Sequence, residues 1–542
     1  MLRTDLIRPL TELLREHAAA TPDKVAFADP WRSVTWAELE LRSARVAGHL
    51  ADMGLQAADR VLLYLDNMVE AVESHLAVLR AGAISAPIHI GLEDAELAAL
   101  LADSRATTVF TDTARAHQVN RVRREFPNLT VVLVDHEGEE LDDELPLFPL
   151  FSELAEIQPG AEPEGDLGLD DLSFLTYTAG VTGAPRAVLF SQRNVMWAIA
   201  ACYAPILGMG PEDRVACPLP LAHGITQQVA VIGVLATGAS GWLTPTAAED
   251  VADLMANRTS FLTDLARRRI TFLAGIPSTY LDLLWAGSYL DVDLPDVRVA
   301  LVAGASSVTT LRERFEERFG VRLLDSYMTT ETTGPVAVSW PDGGRVDAAC
   351  GMPIPGVSVR IIDPRTGKDA GVGQEGELWV SGPNVTAGGY HNQAAAISDG
   401  WFHTGDLATR DAHGYLTITG RMAELITRGS TAINPREIEH VLLGVDGVTA
   451  AVVVGELDEA LGEVPVAYLQ TGAMGVDPAA VFAACRALAP AKVPVKLYRV
   501  AELPRVRAGK PARLALRDVA AELLAVQPVE TGTRPQPRPE TR

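Results

Sequence analysis

A stretch rich in glycine and threonine, residues 175–195, has the residue types of a phosphate-binding loop. Glycines allow a tight turn that presents backbone N–H groups to an anion, and threonine hydroxyls and an arginine add further donors. The candidate residues are Thr178, Gly180, Thr182, Gly183 and Arg186. Together they predict a loop that binds a polyphosphate. An ordinary hairpin turn would contain similar residues, so other parts of the chain must decide between the two.

Strand-like and helix-like segments alternate before this stretch. Residues 60–66 form the continuous apolar run of a buried strand, residues 69–83 have helical spacing, and residues 84–90 return to an extended pattern. Further strands follow before residue 136, so we expect a parallel sheet covered by helices. After the stretch, three more such units end in small or hydroxyl residues, at the strand ends where open α/β sheets bind ligands.

The pattern changes twice in the second half of the chain. From Gly351 short strands alternate with glycine and proline turns, which predicts a β-rich subdomain. Beyond Arg421 an α+β unit begins, with Asn434 as helix N-cap, Pro435 at the first helical position and Glu437 completing a capping box. The expected fold is α/β: a large N-terminal domain of helix-covered, mixed or parallel sheets with that subdomain, and a small, mobile α+β C-terminal domain. We place them at 1–420 and 421–525, with a disordered tail at 526–542.

Composition narrows the classes of partner. The 542 residues are 48% apolar and carry a net charge of −24, which argues against nucleic acid and against an anionic membrane surface. The most apolar long window, residues 229–243, is too short and too rich in glycine for a membrane span. Four scattered cysteines without paired spacing favour a reducing, cytoplasmic location.

Six motifs in a fixed order now identify a resemblance. After the loop come PLPLAHG, AGAS, DSYMTTE, the pair GELWVSGPNVTAGGY and WFHTGDL, and LPRVRAGKPAR. The set resembles the adenylate-forming superfamily, which includes acyl-CoA synthetases, luciferases and the adenylation domains of peptide synthetases. It covers the chain from about residue 21 to residue 517. The resemblance implies an AMP-forming acid ligase that uses ATP and Mg²⁺, with CoA as the expected acceptor, and a loop that holds the β- and γ-phosphates.

The resemblance also implies where the nucleoside would bind. Gly304 and Ala305 would pack against adenine, Asp325 would face its amino group, and Tyr327 would stack on the ring. Asp406 would bind the ribose hydroxyls, and Arg421, which opens the C-terminal domain, would also reach the ribose.

Three residues would then serve the reaction itself. Thr330 would bond the α-phosphate, Glu331 would hold Mg²⁺, and Lys510 would be the catalytic lysine. Attack of a carboxylate on the α-phosphate brings two anions together, and a metal, hydroxyl donors and a flexible cation would each offset that charge.

The acid pocket is expected to be short. By the resemblance, His223 lines it and Met328 replaces the usual glycine at its wall. Relatives with a bulky residue there accept only very small acids, so we predict a small acid substrate. The residues after His223 include no aspartate that could meet an α-amino group, which favours a plain carboxylic acid.

Several departures from the family pattern leave alternatives open. The loop has lost two hydroxyl residues, at Ala179 and Val181, which predicts a weaker grip on ATP or a less mobile loop. The hinge region has Ala423 and Ser430 at positions that matter for domain rotation, so thioester formation is less secure than adenylation. The alternatives are transfer to a carrier-protein thiol or an amine, activation of nitrous acid, and a catalytically inactive nucleotide-binding homologue.

Overall fold

The computed structural model describes residues 2–135, 142, 144–160, 167–178, 186–246, 251–304, 309–386, 397–429, 431–458, 461–472, 475–504, 513, 516 and 522–526. The predicted tail at 526–542 lies outside these residues except for its first position. Among the described residues, no helix has both the length and the apolar character that crossing a membrane requires.

The strands up to residue 302 are β1 (Val25–Ala28), β2 (Ser33–Thr35), β3 (Arg60–Tyr64), β4 (Ile84–Pro87), β5 (Thr108–Asp112), β6 (Thr130–Val134), β7 (Leu172–Thr178), β8 (Arg186–Ser191), β9 (Arg214–Ala216), β10 (Ser240–Trp242), β11 (Phe272–Gly275) and β12 (Val299–Val302). The later strands are β13 (Leu323–Thr329), β14 (Gly334–Val338), β15 (Met352–Pro353), β16 (Ser358–Ile362), β17 (Gly376–Ser381), β18 (Ile397–Ser398), β19 (Trp401–Arg410), β20 (Leu416–Arg421), β21 (Ile426–Arg428), β22 (Thr431–Ile433), β23 (Val448–Asp458), β24 (Gly462–Thr471), β25 (Lys496–Val500) and β26 (Glu522–Val526).

The α-helices are α1 (Leu10–Ala20), α2 (Trp36–Asp52), α3 (Val69–Arg80), α4 (Asp94–Ser104), α5 (Thr113–Val122), α6 (Phe151–Glu156), α7 (Gln192–Ala198), α8 (Val234–Thr237), α9 (Val251–Arg267), α10 (Pro277–Gly287), α11 (Thr309–Phe319), α12 (Pro435–Leu443) and α13 (Pro478–Cys485). Two π-helices, Ile199–Tyr203 and Thr226–Gly233, continue or precede them, and a 3-10 helix spans Thr330–Thr332.

A six-stranded sheet in the order β6-β5-β3-β4-β7-β8 confirms the predicted β-α-β pattern. Its strands run parallel up to β7, and β8 closes the edge antiparallel to β7. Helix α3 is buried along its whole length, including Glu70 and Glu73. Both carboxylates pair with Arg32, at 2.9 and 2.8 Å, because a buried charge is tolerated only with a counter-charge.

A nine-stranded sheet in the order β15-β14-β13-β12-β11-β9-β10-β1-β2 forms the second large layer. Its central strands from β10 to β13 are parallel. The carboxyl ends of β12 and β13 lead directly into Gly304 and Thr330, two predicted site residues. The largest buried cluster includes Phe110 of the first sheet and Phe272 of the second, so one core joins the two layers.

Two smaller sheets complete the described part of the chain. Strands β16–β20 form an antiparallel sheet, which confirms the β-rich subdomain, and β21–β26 form a mixed sheet that packs on α12 and α13, with β24 and β25 parallel. The side chain of Asn434 caps α12 as predicted, accepting from the backbone N–H of Arg436. The Glu437 side chain does not complete the predicted capping box. Its carboxylate instead accepts a hydrogen bond from Lys492 at 2.6 Å.

Candidate active site

The end of strand β13 brings the predicted residue Tyr327 to the carboxylate of Asp406, which lies on another sheet. The Tyr327 hydroxyl donates to Oδ2 of Asp406 at 2.6 Å, and Nε of Arg421 donates to its Oδ1 at 2.7 Å. Asp406 and Arg421 face each other in register on β19 and β20. The predicted ribose residues therefore lie together, next to the tyrosine predicted to stack on adenine.

Electrostatics favour the donor forms of Tyr327 and Arg421. Burial and then the Asp406 charge raise the pKa of Tyr327 well above its ordinary value, so the phenol remains a donor. Burial opposes the charge on Arg421, but Asp406 together with Tyr327 and Glu424 outweighs it, and the pKa of Arg421 rises. A carboxylate offers about four acceptor sites, so Asp406 has capacity left for hydroxyl groups.

Asp325 lies deeper in the same strand. It is buried, and its Oδ2 accepts from Nη1 of the buried Arg312 at 2.9 Å. The structure thus shows a carboxylate held by a protein cation, and the predicted contact of Asp325 with an adenine amino group stays a prediction.

A cavity opens beside β13, between the β7–β8 hairpin and the π-helix Thr226–Gly233. It contains about 450 Å³ of empty space, part of which is open to solvent. Met328 and Thr330 line it, as do Phe174, Phe190 and Ile232. The pairing of β13 with β14 shifts register between Tyr327 and Met328, and on either side of this irregularity β13 presents Tyr327 to Asp406 and Met328 to the cavity.

The sequence interpretation missed most of the cavity wall. Phe174, Phe190, Gln227 and Gln228 line the cavity but had no predicted role. The two glutamines were detectable as a polar pair inside the apolar segment ITQQVAVIG. Oε1 of Gln228 is buried and has no hydrogen-bond partner in the described part of the chain, so it can accept from a donor in the cavity.

Predicted residue His223 lies next to this cavity but is not one of its lining residues, which include its neighbour Gly224. Its Nδ1 is 3.4 Å from the backbone N of Ile225, and its carbonyl accepts from the backbone N–H of Gln227. His223 thus supports the start of the π-helix, and the predicted contact with the acid stays a prediction.

The predicted phosphate loop connects β7 and β8. Thr178 and Arg186 are opposite each other at the end of the hairpin that adjoins the connecting loop, and the Thr178 hydroxyl is 3.5 Å from the Arg186 carbonyl oxygen. Gly180, Thr182 and Gly183 lie outside the described residues, as do Ala305 and Lys510. Gly304 has φ +81°, a left-handed conformation that favours glycine.

Glu331 follows Thr330 in the 3-10 helix, and its backbone carbonyl accepts from the N–H of Thr386 at 2.8 Å. No group of three or more His, Cys, Asp or Glu side chains that could hold a metal occurs among the described residues. A single carboxylate next to the predicted α-phosphate residue Thr330 would fit Mg²⁺, which is usually bound by one or two carboxylates together with phosphate oxygens.

Comparison with known proteins now identifies the family. The family model for AMP-binding enzymes matches residues 14–391, and the model for the AMP-binding enzyme C-terminal domain matches residues 437–510. The chain belongs to the AMP-binding enzymes of the adenylate-forming superfamily.

Two curated relatives and one solved structure illustrate the similarity. The naringenin synthase of Pestalotiopsis fici is 35% identical over 95% of this chain, which spans only 19% of that protein's length. The sulfoacetate–CoA ligase of Cupriavidus necator is 33% identical, with 94% of this chain and 97% of the relative covered. ATP-bound MatB from Rhodopseudomonas palustris is 27% identical with a TM-score of 0.82, covering 94% of this chain and 98% of MatB.

Proposed function

We propose that this chain activates a small carboxylic acid with ATP to form an acyl-AMP and then transfers the acyl group to CoA. One observation supports the proposal: strand β13 connects the cluster around Asp406 with the cavity. Tyr327 joins the cluster with Asp406 and Arg421, and its neighbours Met328 and Thr330 line the cavity.

In the first half-reaction, a carboxylate oxygen of the acid forms a bond to the α-phosphorus, and the bond to pyrophosphate breaks. Thr330 would donate to the α-phosphate and Asp406 would hold the ribose. Lys510 would bring a positive charge to the developing oxyanions. Glu331 would hold Mg²⁺, which when bound supplies charge that neutralises phosphate oxygens.

In the second half-reaction, the CoA sulfur forms a bond to the acyl carbon, the bond to AMP breaks, and the thiol proton passes to solvent. We propose that a domain over 421–525 rotates relative to 1–420 between the two halves. A carrier-protein thiol could replace CoA in the same chemistry, and an amine would give an amide.

The substrate is a compact acid with a mostly apolar body. The space of about 450 Å³ includes the open mouth of the cavity, so the enclosed part that could hold an acyl chain is much smaller. Phe174, Phe190 and Ile232 favour an apolar acyl chain, and Met328 limits its length. Met328→Gly should therefore raise kcat/KM for longer acids at least tenfold, measured by pyrophosphate release with acids of increasing chain length.

ATP–pyrophosphate exchange with a panel of acids, nitrite included, tests the proposal. We expect exchange with at least one compact acid, and thioester formation when CoA is added. Lys510→Ala should reduce exchange by at least a hundredfold. No exchange with any acid would favour an inactive nucleotide binder, and unchanged exchange in Lys510→Ala would refute the role of that lysine.

A further inference from the structure

A second, narrow cavity lies next to the cavity beside β13, which we call the acid cavity. Leu63, Leu65, Val72 and Val231 give it apolar walls, and His75 of helix α3 is the titratable residue that lines it. Only 2% of His75 is exposed, and its Nε2 has no hydrogen-bond partner among the described residues. A buried polar atom without a partner is costly, which indicates that something other than these residues satisfies it.

The second cavity, called the inner chamber below, adjoins the acid cavity. Pro87 and Gln227 line both spaces, so they form the partition between them. The His75 ring also stacks on Phe174, a wall residue of the acid cavity, with ring centroids 5.3 Å apart. The Gln227 side chain donates to the Leu221 carbonyl at 2.6 Å, and a change of this one rotamer would alter the width of the connection.

The hydrogen bond on the other ring nitrogen determines what Nε2 can offer. Nδ1 of His75 is 2.8 Å from the hydroxyl of Ser85, which is fully buried and does not line the chamber. Among the described residues, the Ser85 hydroxyl forms its hydrogen bond with His75. The need to place the buried hydroxyl proton on an acceptor favours the tautomer in which Ser85 donates to Nδ1 and the ring proton is on Nε2.

We propose that His75 determines substrate specificity: its Nε2–H donates to a neutral oxygen at the far end of a compact acid whose carboxylate lies near Thr330. This inference rests on the proposed function and names its substrate class. The oxygen belongs to a hydroxyl, ether or carbonyl group, since the chamber is apolar and holds little more than one small group.

A charged group at the far end of the acid does not fit. Burial lowers the pKa of His75 to about 4, so the imidazole is neutral near pH 7 and cannot balance a second carboxylate. The other residues that line the chamber carry no charge. An ion buried there would lose its hydration without compensation.

Matched pairs of acids test the proposal by kcat/KM for pyrophosphate release. Suitable pairs are benzoate with its meta- and para-hydroxy derivatives, and butanoate with its terminal-hydroxy derivative. Wild type should prefer the hydroxy member of at least one pair about tenfold or more, because a missing ligand oxygen leaves Nε2–H unpaired.

The informative variant is His75→Phe combined with Ser85→Ala. Phenylalanine keeps the stacking on Phe174, and alanine removes the hydroxyl that would otherwise lose its partner. We expect the preference to fall to about one, through loss of activity on the hydroxy acid while activity on the parent acid is kept. Ser85→Ala alone tests the serine change, and His413→Phe, on an exposed turn, is the matched histidine control.

The outcomes separate the two proposals. Exchange with acids but an unchanged hydroxy preference in a folded double variant would refute the role of His75 and leave the proposed function intact. The same holds if wild type shows no preference in any pair, which would indicate that a water molecule satisfies Nε2. Absence of exchange with every acid would overturn both.

Discussion

Asp406 binds two donors at once, one from β13 and one from β20. Its carboxylate is buried and accepts from the Tyr327 hydroxyl and from Nε of Arg421. An aspartate between an aromatic ring and a cation fixes both partners, so the nucleoside site would be organised before the nucleotide binds. Such preorganisation lowers the entropy cost of binding.

Asp406→Asn tests this arrangement. Asparagine keeps the shape but has one acceptor oxygen and no charge, so it cannot serve Tyr327, Arg421 and a ribose together. We expect the KM for ATP to rise about tenfold to a hundredfold, measured by ATP–pyrophosphate exchange.

Asp369→Asn is the matched control for that change. Asp369 also forms an aspartate–arginine pair, with Arg360 at 2.8 Å, but on the exposed surface of the β-rich subdomain. Its loss should leave the KM for ATP unchanged. Equal effects of the two substitutions would mean that Asp406 acts through general stability and not through the nucleotide.

His75 also makes a pH prediction about stability. Burial lowers its pKa from 6.5 to about 4, so below pH 6.5 the unfolded chain takes up a proton that the folded chain refuses until about pH 4. Above pH 6.5 the ring is neutral in both states, so its burial does not make stability depend on pH. Between pH 6.5 and about pH 4 the free energy of unfolding falls as the pH drops.

The double variant His75→Phe, Ser85→Ala lacks this titration. Between pH 7 and pH 5, wild type should lose about 2 kcal/mol more free energy of unfolding than the variant, measured by urea denaturation. Carboxylates common to both proteins cancel in the difference. Parallel pH curves for the two proteins would contradict the buried, neutral state of His75.

At the scale of elements, the loop after β12 depends on one glycine. Gly304 has φ +81°, and a Cβ there would approach Cγ2 of Ile276 to 3.3 Å. Gly304→Ala should cost about 1–2 kcal/mol of backbone strain, or move the segment that we propose packs against adenine. We expect a lower melting temperature and a KM for ATP raised about fivefold or more.

Gly367→Ala distinguishes the two effects. Gly367 has a similar φ of +67° and lies on an exposed turn. A Cβ there would meet no other atom within contact distance. The control should lose similar stability and keep its KM for ATP. A raised KM in the control would show that strain anywhere in the N-terminal part weakens binding.

The elements that were predictable are those specified by their own residues. The apolar run of β3 and the spacing of α3 fix a strand and a helix locally, and both formed where expected. Burial of Glu70 and Glu73 was not predictable, since their partner Arg32 lies on another segment. Nor does periodicity distinguish a π-helix from an α-helix, so the cavity wall at Gln227 was missed.

The candidate site was likewise predictable only where local residues or motifs specify it. Asp406 and Arg421 were predicted only because the motif order resembled a known family, and the structure brings them to Tyr327. The second cavity and the orphan nitrogen of His75 have no sequence signature. They arise where an α3 side chain packs beneath a hairpin about a hundred residues later.

At the scale of the whole molecule, the joint between the two proposed domains should control the second half-reaction. Ala423 is in the 3-10 helix Met422–Glu424, directly after Arg421. Proline at 423 fixes φ there and restricts Met422, which stiffens the joint. Ala423→Pro should keep ATP–pyrophosphate exchange within about twofold, because that half-reaction needs no rotation away from the adenylation pose, and slow thioester formation at least tenfold.

Ala412→Pro is the control for this substitution. Ala412 follows Asp411 in the tight turn between β19 and β20, a position where proline fits a turn. It should leave both half-reactions intact. An equal loss of both activities in Ala423→Pro would mean that the joint supports the nucleotide site and does not act as a hinge.

The register of the β7–β8 hairpin restricts which changes of length this chain can tolerate in evolution. Thr178 pairs with Arg186, and farther along the same ladder Phe174 pairs with Phe190, two walls of the acid cavity. A slip of β8 by one residue against β7 would turn Phe190 away from the cavity and take Arg186 out of register with Thr178. A change of length within either strand would therefore disturb both the cavity wall and the residues that flank the predicted phosphate loop.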